Sequence, residues 1–166
     1  KSFSVCSTTF EFKMTSCNIN DFLIKNYSGI IFDKETMIRK NNTTFINCIL
    51  KTGQNCIRIY QPCIKQAFYQ EVRFYVNLNY PSILKLIGYN IKNTKQYLFV
   101  DCKDKGTLDD CISQNLNLTQ KLIISYGIAR AIQYLHSNNI VYRNIEPLNI
   151  FLDSNFYPYL YNFSRA

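Results

Sequence analysis

The segment YLHSNNIVYRNIEPLNIFLD at residues 134–153, with NFSRA at 162–166, decides the fold of this chain. It opens on the end of a helix. From about Thr119 to His136, the residues Ile124, Ile128, Ala131, Ile132 and Leu135 recur at helical spacing and share one face. Asn138-Asn139 suits a left-handed stop, because asparagine tolerates positive φ. A polar loop holding Pro147 follows. Two short β-type runs come next, 150–152 and 159–161, around a turn at Asp153-Ser154-Asn155. Tyr157, Tyr159 and Tyr161 alternate as strand residues do and need no stacking role on this reading. His136, the only histidine, has no metal-ligand set around it and is expected to be a hydrogen-bonded structural residue.

Upstream, residues 45–50 and 55–60 are β-type runs joined by Lys51-Thr52-Gly53-Gln54, which predicts a hairpin. Residues 65–78 switch to helical spacing, with Phe68, Val72, Tyr75 and Val76 on one face and Pro81 beyond the end. Strands are expected over 83–89 and 96–100. Thr107 can cap a helix whose first turn carries Asp109 and Asp110. Phe10, Phe12 and Met14 alternate in a strand-like way, whereas residues 21–40 give no clear pattern. The order predicts an α+β fold, with a β-rich lobe followed by a helical lobe and a crevice between them.

The spacing of the deciding segment resembles the catalytic loop and metal-binding motif of eukaryotic protein kinases, H-R-D-x-x-x-x-N followed by D-F-G. Here these read Tyr142-Arg143-Asn144, Asn149, and Asn162-Phe163-Ser164. The upstream half is similar to the same family. Asn55-Cys56-Ile57-Arg58 stands for V-A-I-K, and Glu71 for the glutamate that pairs with its lysine. Tyr80-Pro81-Ser82-Ile83 stands for the His-Pro-x-Ile segment. Leu98-Phe99-Val100-Asp101, with Gly106-Thr107-Leu108, stands for the strand and hinge that hold adenine. The likeness covers residues 41–166 and leans towards the tyrosine-kinase-like group of serine/threonine kinases. It implies a two-lobed fold with 41–100 as the small lobe and 101–166 as the hinge and first part of a truncated helical lobe. Residues 1–40 are an extension or the start of the small lobe.

The resemblance also marks what is missing. Phosphoryl transfer needs a positioned base, metal ions on the phosphates and a cation on the nucleotide. The base position carries Asn144, a neutral amide. The phosphate-lysine position carries Glu146, which repels phosphate. Of the metal positions, Asn149 is kept, but Asn162 replaces the anionic ligand, and Mg²⁺ prefers charged oxygens. Residues 41–46 stand at the glycine-rich loop and hold no glycine. Arg58 is expected to form a structural ion pair with Glu71. Cys56 above the adenine and Phe151 below it are expected to crowd the slot, beside the hinge residues Asp101 and Lys103. Tyr75, Leu86, Tyr142 and Phe163 fall where the family stacks its regulatory spine. The implied function is a pseudokinase acting as a regulatory or scaffolding module with a protein partner. It requires no cofactor, and ATP and Mg²⁺ binding is weak. The rival reading is an active or weakly active kinase with Glu146 or Asp153 as a displaced base. A third is a basic nucleic-acid-binding domain, which strongly salt-dependent binding would reveal.

Bulk properties agree with a globular chain: 166 residues, 47% hydrophobic and 18% charged. The net charge of +8 is spread without a run of four Lys/Arg, as on a solvated basic surface, so nucleic acid is not the expected partner. Seven cysteines without metal spacing suggest reduced thiols in a cytoplasmic setting. No apolar run approaches the ~20 residues of a membrane span. The N-terminus does not read as a signal peptide, and without Met the natural protein is expected to start upstream. Ending at Ala166, the chain is expected to expose apolar helix surface and to be poorly soluble.

Overall fold

Alternation sets the two faces of the main sheet, and those faces set everything beneath it. The computed structural model describes residues 18–25, 28–40 and 42–166, so the strand-like reading of Phe10, Phe12 and Met14 lies outside the described residues. Strands β1 (Ile31–Phe32), β2 (Ile38–Lys40), β3 (Thr43–Ile49) and β4 (Asn55–Tyr60) precede helix α1 (Lys65–Asn77). Strands β5 (Leu86–Lys92) and β6 (Lys95–Asp101) follow it. The sheet runs β1-β3-β4-β6-β5, with β2 also on β3, and every pair is antiparallel. In β3, β4 and β6, Phe45, Ile57, Ile59, Leu98 and Val100 join the main core with Phe68, Val72 and Tyr75 of α1. Cys48, Cys56 and Phe99 form a second, smaller core with Phe32 and Tyr97. This division follows from the two-residue period of a strand.

Beyond the hinge lie α2 (Leu108–Ile112), α3 (Leu118–Ser137) and the hairpin β7 (Ile150–Leu152) and β8 (Pro158–Leu160). Thr107 and Asp110 form a capping box on α2, and Asn117 with Gln120 another on α3. Asn139, at φ 59°, supplies the left-handed stop. Helix α3 buries Ile124, Gly127, Ala131 and Leu135, while Ile128 and Ile132 are half-buried. Gly127 is required by packing, since a Cβ there would run into the Pro158 ring. Leu118, Leu122 and Tyr126 form an outward stripe, 72%, 60% and 67% exposed, and its spacing places all three on one face. His136 is exposed in the last turn. No helix of the described residues is long and apolar enough to cross a membrane.

Two boundaries differ from the sequence reading. The strand expected at 83–89 begins at Leu86, because Ser82 and Leu84 are bonded elsewhere. The Leu84 N–H donates to the Leu160 carbonyl at 2.9 Å, and the Leu160 N–H donates to the Ser82 carbonyl at 2.8 Å. The glycine-free loop placed at 41–46 is also shorter. Thr43 onward is strand, with Lys40 opposite Thr43.

Candidate functional site

The loop after α3 and the segment after β8 bring three asparagines together beneath the sheet. Asn144, Asn149 and Asn162 are all buried. The Asn144 Nδ2 donates to the Asn162 carbonyl at 3.1 Å, and the Asn149 Nδ2 donates to the Asn144 carbonyl at 3.2 Å. The Asn162 Nδ2 donates to Asn149 Oδ1 at 3.0 Å, while Asn162 Oδ1 accepts from the Ser164 hydroxyl at 2.6 Å. A carboxylate at 162 would turn two acceptors towards a shared cation. The amide instead supplies a donor to Asn149 Oδ1, so the pair satisfies itself. Asn162 sits at φ 64°, a left-handed conformation that asparagine adopts at little cost, and its N–H donates to the Tyr75 hydroxyl at 2.9 Å. These asparagines line a cavity of about 200 Å³ with Asn42, Thr43, Gln61, Glu146, Leu148 and Arg165. Glu146 is exposed at its rim.

Glu71 lies where the sequence places it, on the buried face of α1, and accepts the Phe163 N–H at 2.9 Å. Burial pushes its carboxyl up to about 7, against the opposing pull of that hydrogen bond. The expected ion pair with Arg58 does not form. Arg58 points to the opposite face of the sheet, its guanidinium 4.4 Å from the Phe32 ring centre and 4.9 Å from that of Tyr97. Cys56 shares that face and therefore does not cover an adenine position. The reading that made Arg58 and Cys56 cofactor residues is one residue out of register, and in a strand one residue reverses the face. Ile57 lines the slot instead, and Ile59 lies beside Glu71. No salt bridge reaches Glu71 among the described residues.

Phe163 is fully buried, with ring centres 5.2 Å from both Tyr75 and Tyr142. Leu86 belongs to the same core. The Tyr142 hydroxyl donates to the Tyr161 carbonyl. Three of the four residues expected to stack, Tyr75, Phe163 and Tyr142, are therefore in ring contact.

The slot beside the hinge measures about 300 Å³ and is lined by Ile57, Phe45, Phe151 and residues 102–107, but not by Asp101, which the sequence reading placed there. Phe151 is buried and lines this slot. Lys103 donates to Asp101 at 2.8 Å and lies 4.0 Å from the Tyr159 ring centre, so these two hinge side chains engage each other. Lys40 from β2 also lines the slot. Its amine bonds Asp110 at 2.5 Å, Asp109 at 3.0 Å and Thr107 at 3.2 Å, fastening sheet to α2. Burial alone would raise the Asp110 carboxyl, but the bonds from Lys40 and Thr107 outweigh it and hold it below its ordinary value.

Phe45 and Phe151 of the slot pack with Tyr161 as a cluster of three rings. Phe151 and Tyr161 are 5.1 Å apart, Phe45 and Phe151 5.9 Å, and Phe45 and Tyr161 6.0 Å. Tyr161 thus has the stacking role that sequence reading denied it. No lining residue is common to the slot and the polar cavity. Sequence reading missed Ile57, Ile59, Phe45, Tyr161 and Lys40. The alternation of Ile57 and Ile59 opposite Phe45 and Asn47 was the available signal for the first three. A cavity of about 650 Å³ lies away from the crevice between α1 and residues 139–143. No cluster of His, Cys, Asp and Glu suited to a metal occurs among the described residues.

Comparison with known proteins gives a consistent picture. The family model for the protein kinase domain matches residues 38–164. The chain is 35% identical over 102 residues to a protein kinase and PP2C-like domain-containing protein of Arabidopsis thaliana, covering 60% of this chain and 16% of that protein. It is 32% identical over 108 residues to the probable LRR receptor-like serine/threonine-protein kinase RPK1 of the same plant, covering 61% and 20%. Against human mitogen-activated protein kinase kinase kinase 1 the identity is 26% over 93 residues, covering 55% and 6%. The matched region is thus a fifth or less of each of these relatives.

Proposed function

This chain belongs to the protein kinase domain family, and we propose that it is a degenerate member, a pseudokinase that regulates or scaffolds a protein partner in the cytoplasm. The observation that carries this reading is the hydrogen bond from Asn162 Nδ2 to Asn149 Oδ1, which engages the Asn149 oxygen a metal would need. Three further features support it. Asn144 offers no carboxylate to accept a hydroxyl proton. Ile59 stands beside Glu71 where the family's nucleotide-holding cation would reach. The Phe45 and Phe151 rings line the slot and pack on Tyr161, which crowds the space a nucleotide would take. The packing of Tyr75, Phe163 and Tyr142 is kept, as a shape-bearing module requires.

A thermal-shift titration with ATP, with and without Mg²⁺, tests this directly. A ligand at a hundred times its Kd stabilises by about 2.7 kcal/mol, enough to move a midpoint by several degrees. The expected result is a midpoint that neither addition moves. A magnesium-dependent rise, joined to γ-phosphate transfer that Glu146→Gln abolishes, would establish the displaced-base kinase instead.

A further inference from the structure

On the sheet face turned away from the crevice, Cys48 and Cys56 stand directly opposite each other as partners of β3 and β4. Their sulfurs are 2.7 Å apart, and both residues are buried. Opposed residues of an antiparallel pair have Cα atoms about 4.5–5.5 Å apart. A disulfide spans roughly 4.4–6.8 Å between Cα atoms, so joining these sulfurs requires no movement of the backbone. Arg58 lies two residues along β4 on the same face, stacked over Phe32 and Tyr97. The two thiols differ. The hydrogen bond from Cys56, helped by the charge of Arg58, outweighs burial and lowers the Cys48 thiol. The same hydrogen bond and burial raise Cys56.

We propose that Cys48 and Cys56 form a peroxide-sensitive dithiol, in which Cys48 is oxidised first and Cys56 resolves it into a cross-strand disulfide. The Cys48 thiolate attacks one oxygen of hydrogen peroxide, the O–O bond breaks, and hydroxide leaves with the proton shed by the thiol, as water. The resulting sulfenic acid is attacked by the Cys56 sulfur. The S–S bond forms, the S–O bond breaks, and a second water departs with the Cys56 proton. Two thiols and one peroxide give one disulfide and two waters. Access comes through β1, a strand of only two residues in which Phe32 pairs with Cys48. So short an edge strand opens at little cost. The disulfide staples together the strands that carry Phe45, Ile57 and Ile59, and so fixes the roof of the crevice. Cys102 interacts electrostatically with both thiols and is the competing partner.

Peptide mapping of the full chain after brief exposure to hydrogen peroxide, acid quench, alkylation and unreduced trypsin digestion tests the proposal. Cleavage after Lys40, Lys51 and Arg58 releases residues 41–51 and 52–58, each with a single cysteine. The expected product is these two peptides joined, lighter than their sum by two hydrogens, and separated again by dithiothreitol. Cys63→Ser should leave it intact, and adding Arg58→Met to that variant, which extends the second peptide to Lys65, should slow formation of the link several-fold. Two separate alkylated peptides at peroxide doses that oxidise Cys102, or a link from either cysteine to Cys102, would overturn the proposal. Because the mapping reads the unsubstituted chain, it does not depend on any variant folding.

Discussion

Replacing Glu71 with glutamine isolates a buried charge that has lost its counter-ion. The Glu71 carboxyl is held at about 7, against an ordinary 4.5, and burial is the leading cause. Because the folded-state value is raised, the unfolded chain releases this proton first as pH rises. The stability tied to the protonated form is complete below the ordinary value and is lost as pH climbs through about 7. At about 1.4 kcal/mol per pH unit, the full loss is about 3 kcal/mol. The amide oxygen of Glu71→Gln keeps an acceptor for the Phe163 N–H, now without charge. Urea unfolding of both proteins from about pH 5 to about pH 8 should give similar stabilities at the acid end. At the alkaline end the variant should be the more stable by about 2–3 kcal/mol. Curves that run parallel across this window would refute the claim that Glu71 is buried without a cation, as would a wild-type protein that gains on the variant with rising pH.

Three other substitutions probe separate parts of the fold. Asn162→Asp puts a buried carboxylate beside Asn149, so its melting midpoint should fall without Mg²⁺ and recover with it, while the unsubstituted chain stays blind to the metal. Gly127→Ala drives a methyl group into the Pro158 ring and should cost about 1–3 kcal/mol by chemical denaturation. Lys40→Met removes the ties to Asp109, Asp110 and Thr107, with an expected loss of about 1 kcal/mol. Because both acidic partners are partly exposed, that difference should shrink as salt is raised.

The elements of this fold were legible wherever periodicity was strong. The α3 face, the β3–β4 hairpin, the caps at Thr107 and the left-handed Asn139 all follow from local chemistry. The α+β architecture was legible for the same reason, since a small sheet and then helices can be read from spacing alone. Register was not. The motif placed Arg58 in the crevice, but strand period two makes any such alignment all-or-none, and the true crevice residues are its neighbours Ile57 and Ile59. Long-range polar pairings were equally invisible. Nothing local to Lys40 points to Asp110, seventy positions away along the chain. The asparagine cluster was readable as a set of identities, but the direction of its hydrogen bonds needed the folded backbone.

The backbone ties from Ser82 and Leu84 to Leu160 also bear on how this protein would be recognised. Together with the Lys40 fastening and the bonds from Asn162 and Phe163 to Tyr75 and Glu71 of α1, they tie the small lobe to the helical part at several places, so hingeing of one against the other is opposed. A binding partner would then meet one standing outline rather than a population of open and closed forms. Little ordering entropy would be spent at contact, and affinity would follow from surface complementarity more than from any change of shape.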